Sequence, residues 1–424
     1  MTTLVARPAV RGLRGSITVP GDKSVSHRAL LLAALAEGTS TLRGLSAGDD
    51  VARTAAAMAA CGVGLEPSGP GELTVEGGVA RLHEPAGVQD VGNSGTSIRL
   101  LAGWSAARPW LSVLQGDSSI ARRPMGRVAE PLRRMGAIVD GRERGTLPPL
   151  VVRGGDLTGI EHRPEVASAQ VKGAVLLAGL GADGETVVHE AVPTRRHTEE
   201  LIERFAGEIE HRPGWARVRR STLRPVDLAV PADPSQAAFW VVAASLVPGS
   251  DLRIAGVYVG AGRAGFLDVL ARMGAEVTVE AEHPDEHTAD LRVRSARLSA
   301  TTVAGEEVPS LIDEIPVLAV AAAFAEGTTT FSDASELRVK ESDRVESTVA
   351  ALRALGAGAE GRADGLVVEG GRLAGGLVDA AGDHRIAMAS AVAGLASSQG
   401  ATVEGWEAVA TSYPGFAEEL ARCW

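Results

Sequence analysis

Residues 23–42 read KSVSHRALLLAALAEGTSTL: a polar, cationic opening, an apolar body, a Glu37-Gly38 turn and a short alternating run. Outward from this stretch the same order recurs as NSGTSIRLLAGWSA from Asn93, SAQVKGAVLLAGLGADGETVV from Ser168 and DPSQAAFWVVAASLVPGSDLRI from Asp233, then as EIPVLAVAAAFAEGTTTF from Glu314 and DHRIAMASAVAGLASSQGATV from Asp383. Between these copies runs a second series ending in an apolar pair and a glycine, at MAACGVGLE from Met58, LRRMGAIVD from Leu132, LIERFAGEIE from Leu201, LARMGAEVTV from Leu270 and LRALGAGAE from Leu352. Four of these five lead into alternating runs such as GELTVEGG and GLVVEGG. The glycine reads as a helix stop and the alternation as a half-buried strand. A period of about 70 residues decides the fold before any single motif does. It gives six units of mixed helix and strand, hence an α/β (α+β) class with two similar domains of three units each. The last unit ends in GFAEELARCW, and the strand it lacks is expected from LRGSITVPG near the N-terminus. That closure predicts a discontinuous domain of residues 1–20 plus 231–424, with residues 21–230 inserted as the other. Helices apolar on most faces, such as IPVLAVAAAFA from Ile315, belong inside a layer.

The chain's 424 residues suffice for two or three domains, each with its own core. Hydrophobic residues at 45% and charged residues at 22% describe an ordinary globular protein rather than a disordered or fibrous one. No apolar run reaches the roughly 18 residues of a membrane span, and MTTLVARPAVRGLRG lacks the apolar core of a signal peptide. Two cysteines, Cys61 and Cys423, make neither a disulfide framework nor a metal-ligand spacing, so a reducing cytoplasm and no metal are expected. A net charge of −11 argues against nucleic acid or a membrane surface as partner. Of the 42 basic residues only three are lysines: Lys23, Lys172 and Lys340. Lysine is a tunable point charge and arginine a fixed fork, so lysines retained in an arginine-rich chain mark positions where arginine does not serve.

All three lie in polar clusters, two of them at helix starts. Helix N-termini present unpaired N–H groups and a positive dipole end, so six of them facing one cleft form a surface for a small, strongly anionic substrate. Lys23, Ser24 and Arg28 open the first helix. Ser24 alone reads as an N-cap, but cations at a helix N-terminus oppose its dipole and call for an anion. Gly92, Asn93, Ser94, Gly95 and Thr96 make a Gly-rich turn with Arg99 just beyond; neither a Walker motif nor GxGxxG is present. GDSSIARRPMGRV adds Arg122, Arg123 and Arg127. Ser168, Gln170 and Lys172 share another start, and Thr194, Arg195, Arg196 and His197 precede a further helix. Asp313 and Glu314 stand before a buried helix, as N-caps or as a general base. Lys340, Glu341, Asp343 and Arg344 read as a solvated face or as a site. Asp383, His384 and Arg385 open the last apolar helix.

The strings PGDKSVSHRALLLAALA, GNSGTSIRLLAG, RPMGRV, SAQVKGAVLLAGL, LRVKESDR and DHRIAM resemble, in order and nearly end to end, those of the 5-enolpyruvylshikimate-3-phosphate synthase family. The resemblance implies two domains of three βαβαββ units each, an inverse α/β barrel, with the active site in the interdomain cleft. It implies transfer of the carboxyvinyl group of phosphoenolpyruvate to the 5-hydroxyl of shikimate 3-phosphate, through a tetrahedral intermediate and without metal or organic cofactor. Carried over by motif, Asp313 is the base on the hydroxyl, and Glu341 with Lys23 handles the proton at the enolpyruvyl carbon. Phosphoenolpyruvate falls to Lys23, Gly95, Arg123, Gln170, Lys340, Arg344 and Arg385, with His384 adjacent. Shikimate 3-phosphate falls to Lys23, Ser24, Arg28, Ser168, Gln170, Arg195, Asp313 and Lys340. Glyphosate, a mimic of the phosphoenolpyruvate side, is a candidate inhibitor, with Gly95 retained. Thr411 stands where some members carry lysine, and Ala169 and His197 stand where others have serine and tyrosine. A sister family acting on UDP-amino sugars uses a loop cysteine in the first half of its chain, which neither Cys61 nor Cys423 matches. A monomer is expected, since one chain holds both halves of the cleft.

Overall fold

Each of the six apolar segments is a helix in the computed structural model, which describes residues 2–69 and 71–422. They are α1 (Lys23–Leu35), α2 (Gly95–Ala106), α3 (Ala169–Gly179), α4 (Pro234–Leu246), α5 (Ile315–Ala323) and α6 (His384–Ala396). Each is buried over almost its whole length, as helices without a polar face must be. Side-chain caps fix five of the six starts: Asp22, Ser94, Ser168, Asp233 and Asp383 each accept from a backbone N–H in the first turn. The second sequence series forms half-buried helices such as Asp49–Ala60 and Arg344–Ala354. Cys423 and the end of GFAEELARCW lie outside the described residues.

Contacts divide the chain into two units, residues 1–20 with 231–424 and residues 21–230. Within 21–230 the helices α1, α2 and α3 pack on one another, so closely that a Cβ on Gly103 of α2 would stand 2.1 Å from the Ala174 carbonyl oxygen of α3. Within the other unit α4, α5 and α6 pack likewise. Among the described residues, five four-stranded sheets and one three-stranded sheet pack with these helices. In the sheet of Gly38–Arg43, the strand after α1 pairs antiparallel with Glu72–Gly77, which pairs antiparallel with Gly64–Gly69; a fourth strand, Asp227–Ala229, lies parallel to it. The other four-stranded sheets repeat this pattern. The strand leading into each inner helix normally pairs with the strand leaving it, as Thr302–Val303 and Thr328–Phe331 do around α5. At the two passages between units the partners are exchanged. Arg14–Ile17, which leads into α1, pairs with Asp251–Ile254 after α4, and Asp227–Ala229, which leads to α4, pairs with Thr41–Arg43 after α1.

One expectation is corrected here. The N-terminal strand that completes the last unit is Thr3–Ala6, antiparallel to Ala401–Glu404, and the LRGSITVPG segment belongs to a different sheet. The reason is directional. Arg14–Ile17 must run on to Pro20 and the start of α1, whereas Thr3–Ala6 is free to turn its inward side, Leu4 and the fully buried Ala6, onto the core. No helix among the described residues is long and apolar enough to cross a membrane.

Candidate active site

In residues 21–230 the side chains singled out by the sequence gather around the N-termini of α1, α2 and α3. Asp22, not Ser24, is the side-chain cap of α1: its carboxylate accepts from Val25 N at 2.9 Å, which leaves Ser24 inside the first turn. Lys23 Nζ donates to Asp50 Oδ2 at 2.8 Å. Arg28 is buried one turn further on, its guanidinium donating to Thr198 Oγ1 at 2.7 Å and to the carbonyls of Ser24 and Ala169 at 3.0 and 3.3 Å. Arg195 Nη1 donates to Ser24 Oγ at 3.3 Å, and Gln170 Nε2 to Thr96 Oγ1 at 3.4 Å. The structure thus joins Ser24, Arg28, Arg195 and the Ser168–Gln170 start of α3 into one hydrogen-bonded group. Gly95 meets Arg123, since a Cβ there would lie 2.2 Å from Arg123 Nη1.

Beneath this group lies a relay of buried hydroxyls. His27 Nδ1 pairs with Thr54 Oγ1 at 2.8 Å, Thr54 with Ser97 Oγ at 2.9 Å, and Ser97 donates to Ser94 Oγ at 2.7 Å. Burial first, then Lys23 and Arg28, push His27 well below the usual imidazole pKa, so the ring stays neutral. Lys172 is fully enclosed. Its ammonium sits 2.8 Å from both Glu190 Oε2 and Glu199 Oε1, and Glu190 also accepts from the Thr194 hydroxyl.

In the other unit a second charged group is built around the starts of α5 and α6. Arg344 is 1% exposed, which excludes the solvated-face reading of its motif. Its guanidinium spans Asp313 Oδ1 at 3.1 Å, Glu341 Oε2 at 2.5 Å and Asp383 Oδ2 at 2.8 Å. Lys340 Nζ reaches the same Asp313 oxygen at 3.2 Å. Arg385 Nη1 donates to the Asp313 carbonyl at 2.7 Å and to Glu314 Oε1 at 3.2 Å, and Arg263 brings Glu314 and Asp233 together. Glu314 makes no side-chain cap on α5; it is tied to Arg263, Arg385 and the Ser235 hydroxyl instead. Burial lowers the Lys340 pKa, although Asp313 opposes the shift. Burial works against the Arg344 charge, yet Asp383, Glu341 and Asp313 together raise its pKa. Burial likewise opposes ionisation of Asp383, and Arg344 nonetheless holds it below the ordinary carboxylate value. His384 is buried at the first position of α6, and Thr411 closes a short 3-10 turn from Trp406. No cluster of three or more metal-ligating side chains occurs among the described residues.

Several members of these groups escape the sequence reading. Asp50, Thr198, Glu190, Glu199 and Arg263 carry no motif of their own. The one available signal was Gly48-Asp49-Asp50, an acidic helix start of the kind a nearby cation seeks.

Across residues 9–420 the chain matches the family model described as EPSP synthase (3-phosphoshikimate 1-carboxyvinyltransferase). It belongs to the EPSP synthase family. Among curated members, a 3-phosphoshikimate 1-carboxyvinyltransferase of Pelotomaculum thermopropionicum is 50% identical over 419 residues, covering 97% of each chain. One of Gloeobacter violaceus is 51% identical over 418 residues, again covering 97% of each. Among solved structures, EPSP synthase from Acinetobacter baumannii is 40% identical, superposes with a TM-score of 0.87 and covers 99% of this chain and 97% of that one. The enolpyruvyl transferase NikO from Streptomyces tendae, at 19% identity and a TM-score of 0.80, shares the fold.

Proposed function

We propose that the chain moves the carboxyvinyl group of phosphoenolpyruvate to the 5-hydroxyl of shikimate 3-phosphate and releases phosphate. In the first step the 5-hydroxyl oxygen bonds to C2 of phosphoenolpyruvate, its proton leaves to a base and a proton adds at C3, giving a tetrahedral intermediate. In the second step the C3 proton is removed, the C2–C3 double bond reforms and the C2–O bond to phosphate breaks. Asp313 takes the hydroxyl proton, and Glu341 with Lys23 gives and removes the proton at C3. The observation that carries this reading is Asp313 set between Lys340 and Arg344, with Glu341 on the same guanidinium. That arrangement puts two carboxylates beside cations suited to an anionic co-substrate.

Shikimate 3-phosphate is assigned to Lys23, Ser24, Arg28, Ser168, Gln170 and Arg195 together with Asp313 and Lys340. Their mutual hydrogen bonds at the starts of α1 and α3 support the first part of that set. Phosphoenolpyruvate is assigned to Lys23, Gly95, Arg123, Gln170, Lys340, Arg344, His384 and Arg385, and glyphosate competes there. One chain supplies both sets, so the proposed reaction needs no second copy.

Phosphate release from shikimate 3-phosphate and phosphoenolpyruvate tests the reaction, with shikimate as control acceptor. Release should require the 3-phosphate and fall by a factor of about 10² to 10⁴ in Asp313→Ala. Equal release with shikimate, or a fully active variant, defeats the proposal.

A further inference from the structure

The inner helices of residues 21–230 end, opposite their cationic starts, around a cavity of about 840 Å³. Leu35 and Leu180, at the ends of α1 and α3, line it with Ala107, Val79 and Leu223, and Arg108 enters it two residues beyond the end of α2. Arg108 is 6% exposed, and its guanidinium stands over the Trp104 ring at 5.7 Å. Its buried Nε has no acceptor, and no described residue accepts a hydrogen bond from the guanidinium or forms an ion pair with it. This is a departure from how proteins treat buried charge, which is ordinarily paired. The ends of three helices bring carbonyl oxygens to this side of the unit, and the Ser105 carbonyl accepts from the Arg108 backbone N–H at 3.0 Å, yet none accepts from the guanidinium.

The repeat does not require a cation here. The other inner helices are followed by Ala36-Glu37-Gly38, Leu180-Gly181-Ala182, Val247-Pro248-Gly249, Phe324-Ala325-Glu326 and Ser397-Ser398-Gln399. Of the six, α2 alone puts a cation there, in Ala107-Arg108-Pro109. Burial lowers the Arg108 pKa to about 10, as expected of a charge without a counterion.

We propose that this cavity is a binding site for a small organic monocarboxylate with an apolar body, its carboxylate taken by the Arg108 fork. The planar guanidinium matches a carboxylate in two parallel hydrogen bonds. The leucine, valine and alanine walls take an apolar body, in the usual balance of a small-molecule site. At the rim the exposed Glu37, Asp156 and Glu208 are balanced in part by the exposed Arg220 and Arg224, so the negative ends of three helices are what select against a dianion such as phosphate. The site is independent of the transferase reading, because it shares no residue with it.

Benzoate is the probe, with acetate and inorganic phosphate as comparisons. Titrating benzoate into the intact protein should move the Arg108 side-chain Nε–H resonance and raise Tm by mass action. Acetate should bind at least about tenfold more weakly for want of an apolar body, and phosphate should leave the resonance in place. Arg108→Gln should weaken benzoate binding at least about tenfold, and without ligand it should melt within a few degrees of the parent, since it loses the ring contact with Trp104 but no hydrogen bond. A wild-type resonance that benzoate does not move overturns the proposal even where the variant fails to fold. So does a variant that binds benzoate as tightly, or phosphate that binds as well as benzoate.

Discussion

Gly95 and His27 show what single residues contribute. A Cβ on Gly95 would lie 2.2 Å from Arg123 Nη1 and 3.0 Å from Arg99 Nη1. Both are ends of flexible side chains, so Gly95→Ala should fold normally while pushing Arg123 off its position. We expect the KM for phosphoenolpyruvate to rise about tenfold, roughly 1.4 kcal/mol, with that for shikimate 3-phosphate nearly unchanged; equal kinetics would remove Arg123 from the site. His27 governs acid stability. The folded protein keeps its ring neutral well below the ordinary imidazole value of about 6.5, whereas the unfolded chain takes up a proton near that pH. The unfolded state then binds more protons, and stability falls as pH drops from about 6.5 towards the folded pKa, by up to about 1.4 kcal/mol per pH unit. Urea denaturation between pH 7.5 and 5 should show this slope, and His27→Asn should flatten it. A residual slope is expected from His162, which burial also lowers. Charged helix starts such as Lys23, Arg28 and Arg385 were legible in the sequence because cations oppose the dipole there. Their partners were not, since Arg28 meets Thr198 170 positions away and only packing selects such a pair.

At the scale of elements, Lys172 ties α3 to the segment that carries Arg195. Its ammonium lies between Glu190, before that segment, and Glu199, on the helix His197–Arg204 that also supplies Thr198 to Arg28. Lys172→Met would leave two buried carboxylates without their cation, a change that costs about 3–5 kcal/mol where buried pairs are broken. The same loosening should raise the KM for shikimate 3-phosphate about tenfold and leave that for phosphoenolpyruvate within about threefold. Unfolding curves and initial rates check the two effects separately, and a parallel rise in both KM values would reduce Lys172 to a purely stabilising role. Lysine suits this position because a compact ammonium fits between two oxygens each 2.8 Å away, where an arginine fork would need more room. Inner helices were legible from their apolar bodies and capped starts. Strands were less so. Trp215–Arg219 follows the charged run Glu208–Arg212 and lacks the clean alternation of its counterparts. Thr3–Ala6 and Arg14–Ile17 look alike as short strands, and only the path of the chain towards α1 decides which sheet each joins.

For the whole molecule, the decisive feature is that each unit carries a complete core. The buried apolar residues from Val25 to Val230 form one cluster, and those before Pro20 and after Pro231 form another. The strand exchange at the two passages preserves this separation, because Asp227–Ala229 pairs with Thr41–Arg43 and so completes the sheets of residues 21–230 from within. That self-sufficiency was foreshadowed by the threefold repeat in each half, whereas the exchange itself leaves no trace in the sequence because the strands involved are interchangeable in length and pattern. Residues 21–230 produced alone should therefore fold cooperatively, with the near-ultraviolet signal of the buried Trp104 intact. They retain Lys23, Ser24, Arg28, Ser168, Gln170 and Arg195 but lose Asp313 and Lys340, so they should bind shikimate 3-phosphate more weakly than the full chain and release no phosphate. Titration calorimetry on the isolated unit distinguishes the possibilities. Cooperative folding without binding would break the assignment of those six residues to shikimate 3-phosphate. Failure to fold would mean that the two cores, separate in their contacts, depend on each other for stability.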